Sequence, residues 1–187
     1  MSGQLLILNC GSSSIKFALY TAAREPRRIL QGTIAGLGTQ PTFTARDAKG
    51  AVLPHGELND EKNDALTLET APHWLFHWLE QSGHGGVVGA GHRVVHGGDR
   101  FVDPVRIDGG ILDALERLDP MAPLHQPHNL ATVRALKALR PSLPQVACFD
   151  TAFHRAQSAL ARNYALPRDL TAAGVRRYGF HGLSYEY

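Results

Sequence analysis

The sequence lacks the features that mark membrane-spanning and secreted proteins. No apolar run approaches the roughly 20 residues that a helix needs to cross a bilayer. The N-terminus has no basic segment followed by a long apolar stretch, so we expect no signal peptide. The two cysteines, Cys10 and Cys148, lie far apart and beside apolar residues. They are too few for a disulfide framework and predict buried free thiols in a reducing, cytoplasmic compartment.

The sequence also lacks a strong excess of either positive or negative charge. The net charge is +2 and no block of lysine and arginine occurs, which argues against a nucleic-acid or membrane partner. There is no internal repeat and no low-complexity tract. The 187 residues are 43% hydrophobic. This composition is typical of a soluble globular protein with a core, in one domain or two small ones.

The richest local pattern lies at residues 5–20. An apolar run at residues 5–8 stops at a polar cluster, and a second apolar-rich run follows at residues 15–20. This pattern predicts a β-hairpin with a polar tip. In the tip, Gly11 allows close approach of a ligand, Ser12 and Ser14 offer hydroxyls, and Lys16 adds a positive charge. These groups suit a polyphosphate, although serine and glycine also favour ordinary turns.

The hairpin differs from the common P-loop. That motif needs a glycine directly before its lysine and a helix after it. Here Ile15 precedes Lys16, and the sequence continues as a strand. A phosphate would therefore lie against a strand–turn–strand unit.

The first half of the chain is predicted to be β-rich, and the second half to alternate strands and helices. Strands are predicted at residues 28–34, 42–45, 51–53, 87–95 and 145–149, and helices at residues 63–81, 111–118, 130–139 and 156–162. The run at 87–95 reads as a buried central strand. Pro72 is expected to kink the first helix or reset its start. This order indicates an α/β domain with a mixed sheet.

Two charged residues stand at the predicted buried strands. Arg93 lies within or at the end of strand 87–95, where a cation is costly unless it is paired or binds an anion. Its planar guanidinium suits a carboxylate or a phosphate, and the alternative is an internal Arg–Asp salt bridge. Asp150 follows strand 145–149, where open α/β sheets bind their ligands. The alternative for Asp150 is the N-cap of the next helix.

Histidines form the remaining polar clusters. His125 precedes a predicted helix in a proline-containing segment, and we expect a hydrogen-bonding role in a site. His181 lies between Gly179 and Gly182, so its loop can approach a ligand closely. His73 and His77 are interpreted as surface or packing histidines. A metal-dependent hydrolase remains an alternative, with four candidate ligands: His92, His96, His125 and His128.

Five segments of the chain match one protein family in the family's own order. They are residues 8–17 (LNCGSSSIKF), 91–98 (GHRVVHGG), 122–129 (APLHQPHN), 149–154 (FDTAFH) and 178–182 (YGFHG). On these segments the chain resembles the acetate kinases, including their propionate and butyrate kinase relatives. One such segment is weak evidence, whereas five in register are highly specific.

The resemblance implies a fold and a reaction. The implied fold is α/β, an actin/hexokinase-like (ribonuclease H-like) domain with a mixed β-sheet flanked by helices. The implied reaction is that of an ATP:acetate phosphotransferase, which reversibly forms acetyl phosphate and ADP. Mg²⁺ or Mn²⁺ is the implied cofactor, and ATP is the co-substrate. The implied partners are acetate or another short-chain carboxylate and ATP/ADP, and full-length members are expected to be homodimers.

The resemblance also implies roles for individual residues. The implied catalytic residues are Asp150, His181 and Arg93. The implied substrate-binding residues are Arg93, Val95, Leu124, Phe180 and His125, with the three apolar residues around the acyl methyl group. The implied nucleotide-phosphate contacts are Ser12, Ser14 and Lys16, and Asn9 is the implied metal-site residue. Because acetate is already ionised at pH 7, it needs no general base. We therefore expect Asp150 to hold Mg²⁺ or its water shell while Arg93 and His181 neutralise phosphoryl charge.

Length separates the chain from the family. Family members continue well beyond the fifth segment, into a domain that carries the adenosine pocket. We therefore expect residues 1–187 to form the N-terminal acyl-substrate and phosphate-binding domain of an acetate kinase, with the C-terminal nucleotide-binding domain absent. Little activity is expected from such a half alone. The alternative is a non-catalytic anion-binding or interaction domain derived from the kinase.

Overall fold

The computed structural model describes residues 3–59 and 65–186. Within these ranges one mixed sheet has seven strands: β1 Gln4–Cys10, β2 Ser14–Thr21, β3 Arg28–Ala35, β4 Thr42–Asp47, β5 Val87–Val94, β6 Val105–Arg106 and β7 Gln145–Phe149. Their order across the sheet is β4-β3-β2-β1-β5-β7-β6. The predicted mixed sheet is confirmed, and four of the predicted strands are found as β3, β4, β5 and β7.

Strand directions divide the sheet into two parts. The first four strands form an antiparallel meander, and the predicted opening hairpin is confirmed by the β1–β2 pairing from Gln4–Thr21 to Cys10–Ile15. Strands β1, β5 and β7 run parallel to one another, and β6 pairs antiparallel at the far edge. The carboxyl ends of the three parallel strands therefore meet at one edge of the sheet.

Helices occupy the connections in the second part of the chain. They are α1 Ala71–Gln81, α2 Gly109–Glu116, α3 Gln126–Leu139, α4 Ala159–Arg162, α5 Arg168–Ala172 and α6 Gly182–Glu186, with short 3₁₀ turns at Asp119–Met121 and Phe153–Ala156. Asp108 caps α2, because its carboxylate accepts a hydrogen bond from the N–H of Ile111. No helix in the described ranges combines the length and apolar character that a membrane span needs.

Two predicted elements differ from the structure. Residues 51–53 form no strand; Val52 makes only an isolated bridge to Arg46. The helix predicted at residues 63–81 begins at Ala71, and residues 63–64 lie outside the described ranges. The Thr70 hydroxyl accepts a hydrogen bond from the N–H of Thr67 and favours a turn before α1. Pro72 falls in the first helical turn, where its missing N–H costs nothing, so it resets the start as expected.

Other helix boundaries shift by a few residues. Helix α2 begins two residues earlier than predicted, at Gly109, and α3 begins at Gln126 because Pro127 fits its first turn. The helix predicted at 156–162 is divided into the 3₁₀ turn Phe153–Ala156 and helix α4. Ser158 separates the two, since its side chain caps α4 by accepting from the N–H of Ala161.

The core lies on one face of the sheet. Leu6 and Leu8 of β1 pack with Leu75 and Leu79 of α1 in one cluster. Val94 and Phe149 belong to a second cluster with residues of α2 and α3. Burying one such leucine fully stabilises the fold by about 2 kcal/mol. The opposite face carries Ile7, which is 42% exposed, together with Asn9, Lys16 and Arg93.

Candidate active site

Three polar side chains meet where the parallel strands end. Asn9 lies near the end of β1, Arg93 near the end of β5, and Asp150 directly after β7. The register pairs Leu8 with His92 and Arg93 with Cys148, which sets Asn9, Arg93 and Asp150 on the same face because side chains alternate along a strand. The backbone N–H of Asp150 donates to the carbonyl of Val94 at 3.1 Å and extends the β5–β7 pairing to this residue.

Arg93 and Asp150 form a bidentate ion pair. Arg93 Nε lies 3.0 Å from Asp150 Oδ1, and Nη2 lies 2.5 Å from Oδ2. The Asp150 side chain is 1% exposed and that of Arg93 is 26% exposed. The internal Arg–Asp salt bridge considered as an alternative is therefore present. The N-cap alternative for Asp150 is wrong, because the 3₁₀ turn that follows has Ala152 at its N-cap and no side-chain cap.

Arg93 also organises its other neighbours. Its Nη1 donates to Asn9 Oδ1 at 3.0 Å, and its Nη2 lies 3.4 Å from Nδ1 of His181. Since a guanidinium only donates, His181 presents Nδ1 as an acceptor. A guanidinium has five N–H donors. Asp150 takes two of them, on Nε and Nη2, Asn9 takes one on Nη1, and His181 takes the second on Nη2. One N–H, on Nη1, therefore remains for an anion.

The loop that carries His181 is held by close packing against the protein. His181 has φ 58°, in the left-handed region. A Cβ on Gly182 would lie 2.0 Å from the carbonyl oxygen of Asp150, and one on Gly179 would lie 2.3 Å from the ring of His154. Both glycines thus let the loop pack closely against the chain itself, at Asp150 and His154. Close approach of the loop to a ligand stays a prediction.

A cavity of about 300 Å³ brings most of the predicted substrate site together. Its lining includes seven predicted site residues: Arg93, Val95, Leu124, His125, Asp150, Phe180 and His181. Leu124 is 76% exposed at the rim, and Phe180 is 41% exposed. The cavity thus combines apolar side chains with an arginine–aspartate pair in its lining. A larger cavity of about 780 Å³ beside α1 contains none of the predicted site residues.

The hairpin tip forms a separate part of the site. Its turn is closed by the N–H of Gly11, which donates to the carbonyl of Ser14 at 2.9 Å. Ser12 and Lys16 are exposed, Ser14 is half-buried, and Asn9 and Lys16 line a second cavity of about 470 Å³. Across the described part of the chain, the hydroxyls of Ser12 and Ser14 and the Lys16 ammonium make no hydrogen bond. Asn9, which pairs with Lys16 and bonds to Arg93, connects this part to the smaller cavity.

Two site-forming residues escaped the sequence analysis. Gln126 is completely buried, its Oε1 accepts from the N–H of His96 and its Nε2 donates to the carbonyl of His96. Asn129 is 3% exposed, its Oδ1 accepts from the N–H of Val95 and its Nδ2 donates to the carbonyl of Cys10. The sequence did contain a sign of this role. Gln126 and Asn129 are amides three residues apart at the start of α3, a spacing that places both on the same face of a helix.

His92 and His96 have structural roles, and both cysteines are free thiols. His92 is 3% exposed and bonds to Gln145, and burial lowers its pKa to about 4. Burial also lowers the pKa of His96, whose Nδ1 accepts from the N–H of Gly98. Cys10 is a buried free thiol as predicted, and burial raises its pKa to about 11; Cys148 is free but half-buried.

The metal-hydrolase alternative finds no support in the described ranges. There, no three side chains of His, Cys, Asp or Glu are grouped to hold a metal ion. The imidazoles of His92 and His96 are bonded within the core, whereas His125 is exposed. His73 and His77 are exposed on α1, which confirms their interpretation as surface histidines.

The oxygen donors around Arg93 nevertheless suit a magnesium ion bound with phosphates. Asn9 offers an amide oxygen and Asp150 a carboxylate, and both bind the same guanidinium. A carboxylate has about four lone-pair sites, so Asp150 keeps capacity beyond its bonds to Arg93. Mg²⁺ usually takes one or two carboxylates and fills its other positions with water and substrate phosphates. The donor set therefore fits this cation chemically.

Comparison with known proteins identifies one family. Residues 4–187 match the model of the acetokinase family. The chain is 48% identical to an acetate kinase of Rhodopseudomonas palustris, with 100% of this chain and 47% of the relative covered. An acetate kinase of Rhizobium meliloti is 44% identical, with 98% of this chain and 46% of the relative covered. The chain thus spans about half the length of these curated relatives.

Solved structures agree with the sequence matches. The crystal structure of Porphyromonas gingivalis acetate kinase superposes with a TM-score of 0.85 at 34% identity and covers 100% of this chain and 47% of that chain. A propionate kinase from Francisella tularensis superposes with a TM-score of 0.85 at 32% identity, covering 99% and 47%. The predicted actin/hexokinase-like fold, with a mixed sheet flanked by helices, is confirmed.

Proposed function

Because the chain belongs to the acetokinase family, we propose that it carries the acyl-substrate and phosphate-binding part of an ATP:acetate phosphotransferase. The chain spans 47% of the length of these relatives. The phosphotransferase activity of the whole enzyme is therefore proposed for this chain and is not established by the comparisons. The observation that carries it is the cavity of about 300 Å³, which is lined both by apolar side chains and by the Arg93–Asp150 pair.

The cavity has the chemistry to hold a short-chain carboxylate. Val95, Leu124 and Phe180 form its apolar side, which suits a methyl or ethyl group. Arg93 retains one Nη1 N–H for the carboxylate, because Asp150, Asn9 and His181 take its other four donors. Acetate, propionate or a similar acid would therefore lie with its alkyl group on the apolar wall and its oxygens at Arg93.

The hairpin is the proposed contact for the donor phosphates. Lys16 pairs directly with Asn9 across the hairpin, and Ser12 and Ser14 lie in the turn beyond the next pair, Cys10–Ile15. Their side chains are available to bind phosphate oxygens. Asn9 and Asp150 would hold a magnesium ion, which supplies charge neutralisation on the phosphate oxygens. In the proposed arrangement, the alkyl group lies on the apolar wall and the carboxylate at Arg93. The transferring phosphoryl group follows, and the hairpin holds the remaining phosphates.

The proposed reaction needs no proton transfer. A carboxylate oxygen of acetate forms a bond to the γ-phosphorus of ATP, the bond from that phosphorus to the bridging oxygen breaks, and ADP leaves with the electron pair. Acetate is ionised at neutral pH, so Asp150 is not needed as a base. Arg93 and His181 stabilise the negative charge of the phosphoryl group during transfer. Asp150 orients Arg93 through the ion pair.

The binding half of this proposal is testable with the chain of residues 1–187. Titration calorimetry with sodium acetate and with Mg·ATP should show binding of both. Arg93→Lys keeps the positive charge but loses the fork that holds Asp150 and a carboxylate together. We expect acetate affinity to fall at least about tenfold, the equivalent of about 1.4 kcal/mol.

Arg134→Lys is the matched control, since Arg134 pairs with Glu116 on the surface and should leave acetate affinity unchanged. Equal acetate affinity in Arg93→Lys and the parent chain would contradict the assignment of this cavity. Acetyl phosphate formation, trapped as the hydroxamate, tests turnover separately. Binding of both ligands without turnover would identify a half-site.

A further inference from the structure

The side chain of Asn129 joins the two parts of the site. Its Oδ1 accepts the N–H of Val95 at 2.9 Å, and its Nδ2 donates to the carbonyl of Cys10 at 2.6 Å. Val95 lines the acyl cavity, and Cys10 is the last residue of β1 before the hairpin tip. These bonds fix the amide orientation, because only this assignment places an acceptor at the N–H and a donor at the carbonyl.

Asn129 bonds to β1 and to the residue after β5 at a point where the backbone pairing between these two strands has ended. The β1–β5 ladder stops at Leu8–His92, two residues before Cys10 and three before Val95. Beyond it, the amide group of Asn129 connects the strands in place of a backbone ladder. Asn129 is 3% exposed, so losing it would leave the Val95 N–H and the Cys10 carbonyl buried without these partners, which is costly.

We propose that Asn129 is a positioning residue that holds the phosphate-binding hairpin and the acyl cavity in register. This inference rests on the proposed function, which assigns one ligand to each part. The physical consequence is a coupling between two sites on different elements. One side chain of α3 sets both the position of Cys10 at the base of the tip and that of Val95 at the cavity wall.

Two other buried amides provide matched controls. Gln126, on the same turn of α3, bonds to His96 and to the carbonyl of Leu115 but not to the hairpin. It should therefore affect the acyl side alone. Gln145 bonds to His92 and to the carbonyl of Val133 and touches neither part of the site. Its replacement reports the general cost of deleting a buried amide.

The test compares ligand affinities across four variants of the 187-residue chain. Asn129→Leu should weaken both sodium acetate and Mg·ATP, each about tenfold. Gln126→Leu should weaken acetate only, and Gln145→Leu neither. Asn129→Asp keeps an oxygen acceptor for the Val95 N–H but loses the donor to the Cys10 carbonyl, so it should weaken Mg·ATP more than acetate. A purely structural role for Asn129 would not produce this split.

Amide hydrogen exchange separates failure of this inference from failure of the proposed function. If the parent chain binds neither ligand, the proposed function fails. Hydrogen-exchange rates then test by themselves whether Asn129 holds the hairpin and the acyl cavity in register. Asn129→Leu should accelerate exchange at both Val95 and Gly11, whereas Gln126→Leu should accelerate it near His96 and leave Gly11 unchanged. The inference is overturned if Asn129→Leu behaves like Gln145→Leu in affinity, or if it leaves the exchange rate of Gly11 at the parent value.

Discussion

Lowering the pH should destabilise the fold through His92. This residue precedes Arg93 on β5, its side chain is 3% exposed, and its Nε2 lies 2.8 Å from Oε1 of Gln145. Burial lowers its pKa from 6.5 to about 4 because the charged imidazolium cannot be solvated there; the bond to Gln145 offsets only part of this. The native state therefore binds a proton at His92 less readily than the unfolded chain.

The sign and size of the effect follow from this difference. A folded-state pKa below the unfolded value contributes stability above pH 6.5, and that stability is lost as the pH falls towards about 4. Below pH 4 both states are protonated at this group, and the loss is complete. A difference of this size corresponds to about 3 kcal/mol of unfolding free energy, a large share of the stability of a small domain.

Urea unfolding at several pH values between 7 and 4 measures this loss. His92→Gln can still donate to Gln145 but does not titrate, so the difference between parent and variant isolates His92 from carboxylates common to both. We expect the parent chain to lose about 3 kcal/mol relative to the variant across this range. The exposed His77→Gln control should follow the parent. Parallel pH profiles for the parent and His92→Gln would refute the argument.

Two further outcomes follow from the site. Gly182→Ala places a Cβ within 2.0 Å of the Asp150 carbonyl oxygen, so it should displace the His181 loop and lower acetate affinity and thermal stability together. In Gly109→Ala the new Cβ would lie 3.9 Å from Lys137 Nζ, so this variant should change neither. Equal melting temperatures for both variants would contradict this packing. For Asp150→Asn, we expect loss of Mn²⁺ binding, measured by electron paramagnetic resonance, and partial restoration by excess metal. Unchanged Mn²⁺ affinity would instead give Asp150 a role independent of the metal.

Local sequence patterns predicted the strands better than the helix boundaries. The runs that became β5 and β7 are apolar enough to be recognised as buried strands, and the tip between β1 and β2 has the composition of a turn. The start of α1 could not be placed, because Leu66 and Leu68 are both buried although neither lies in a helix. Their burial comes from packing against the sheet, which local periodicity does not report.

The sequence by itself determined which chemical groups this protein has and where they stand along the chain. Its motifs placed a guanidinium, a carboxylate and a histidine after apolar strands or between glycines, and identified the family. Only the tertiary structure decided that Arg93 bonds to both Asn9 and Asp150, that Gly182 packs on Asp150, and that Asn129 bridges Cys10 and Val95. The physical reason is sequence separation: these contacts join residues that are 32 to 119 positions apart along the chain, and parallel strand pairing brings them to one edge of the sheet.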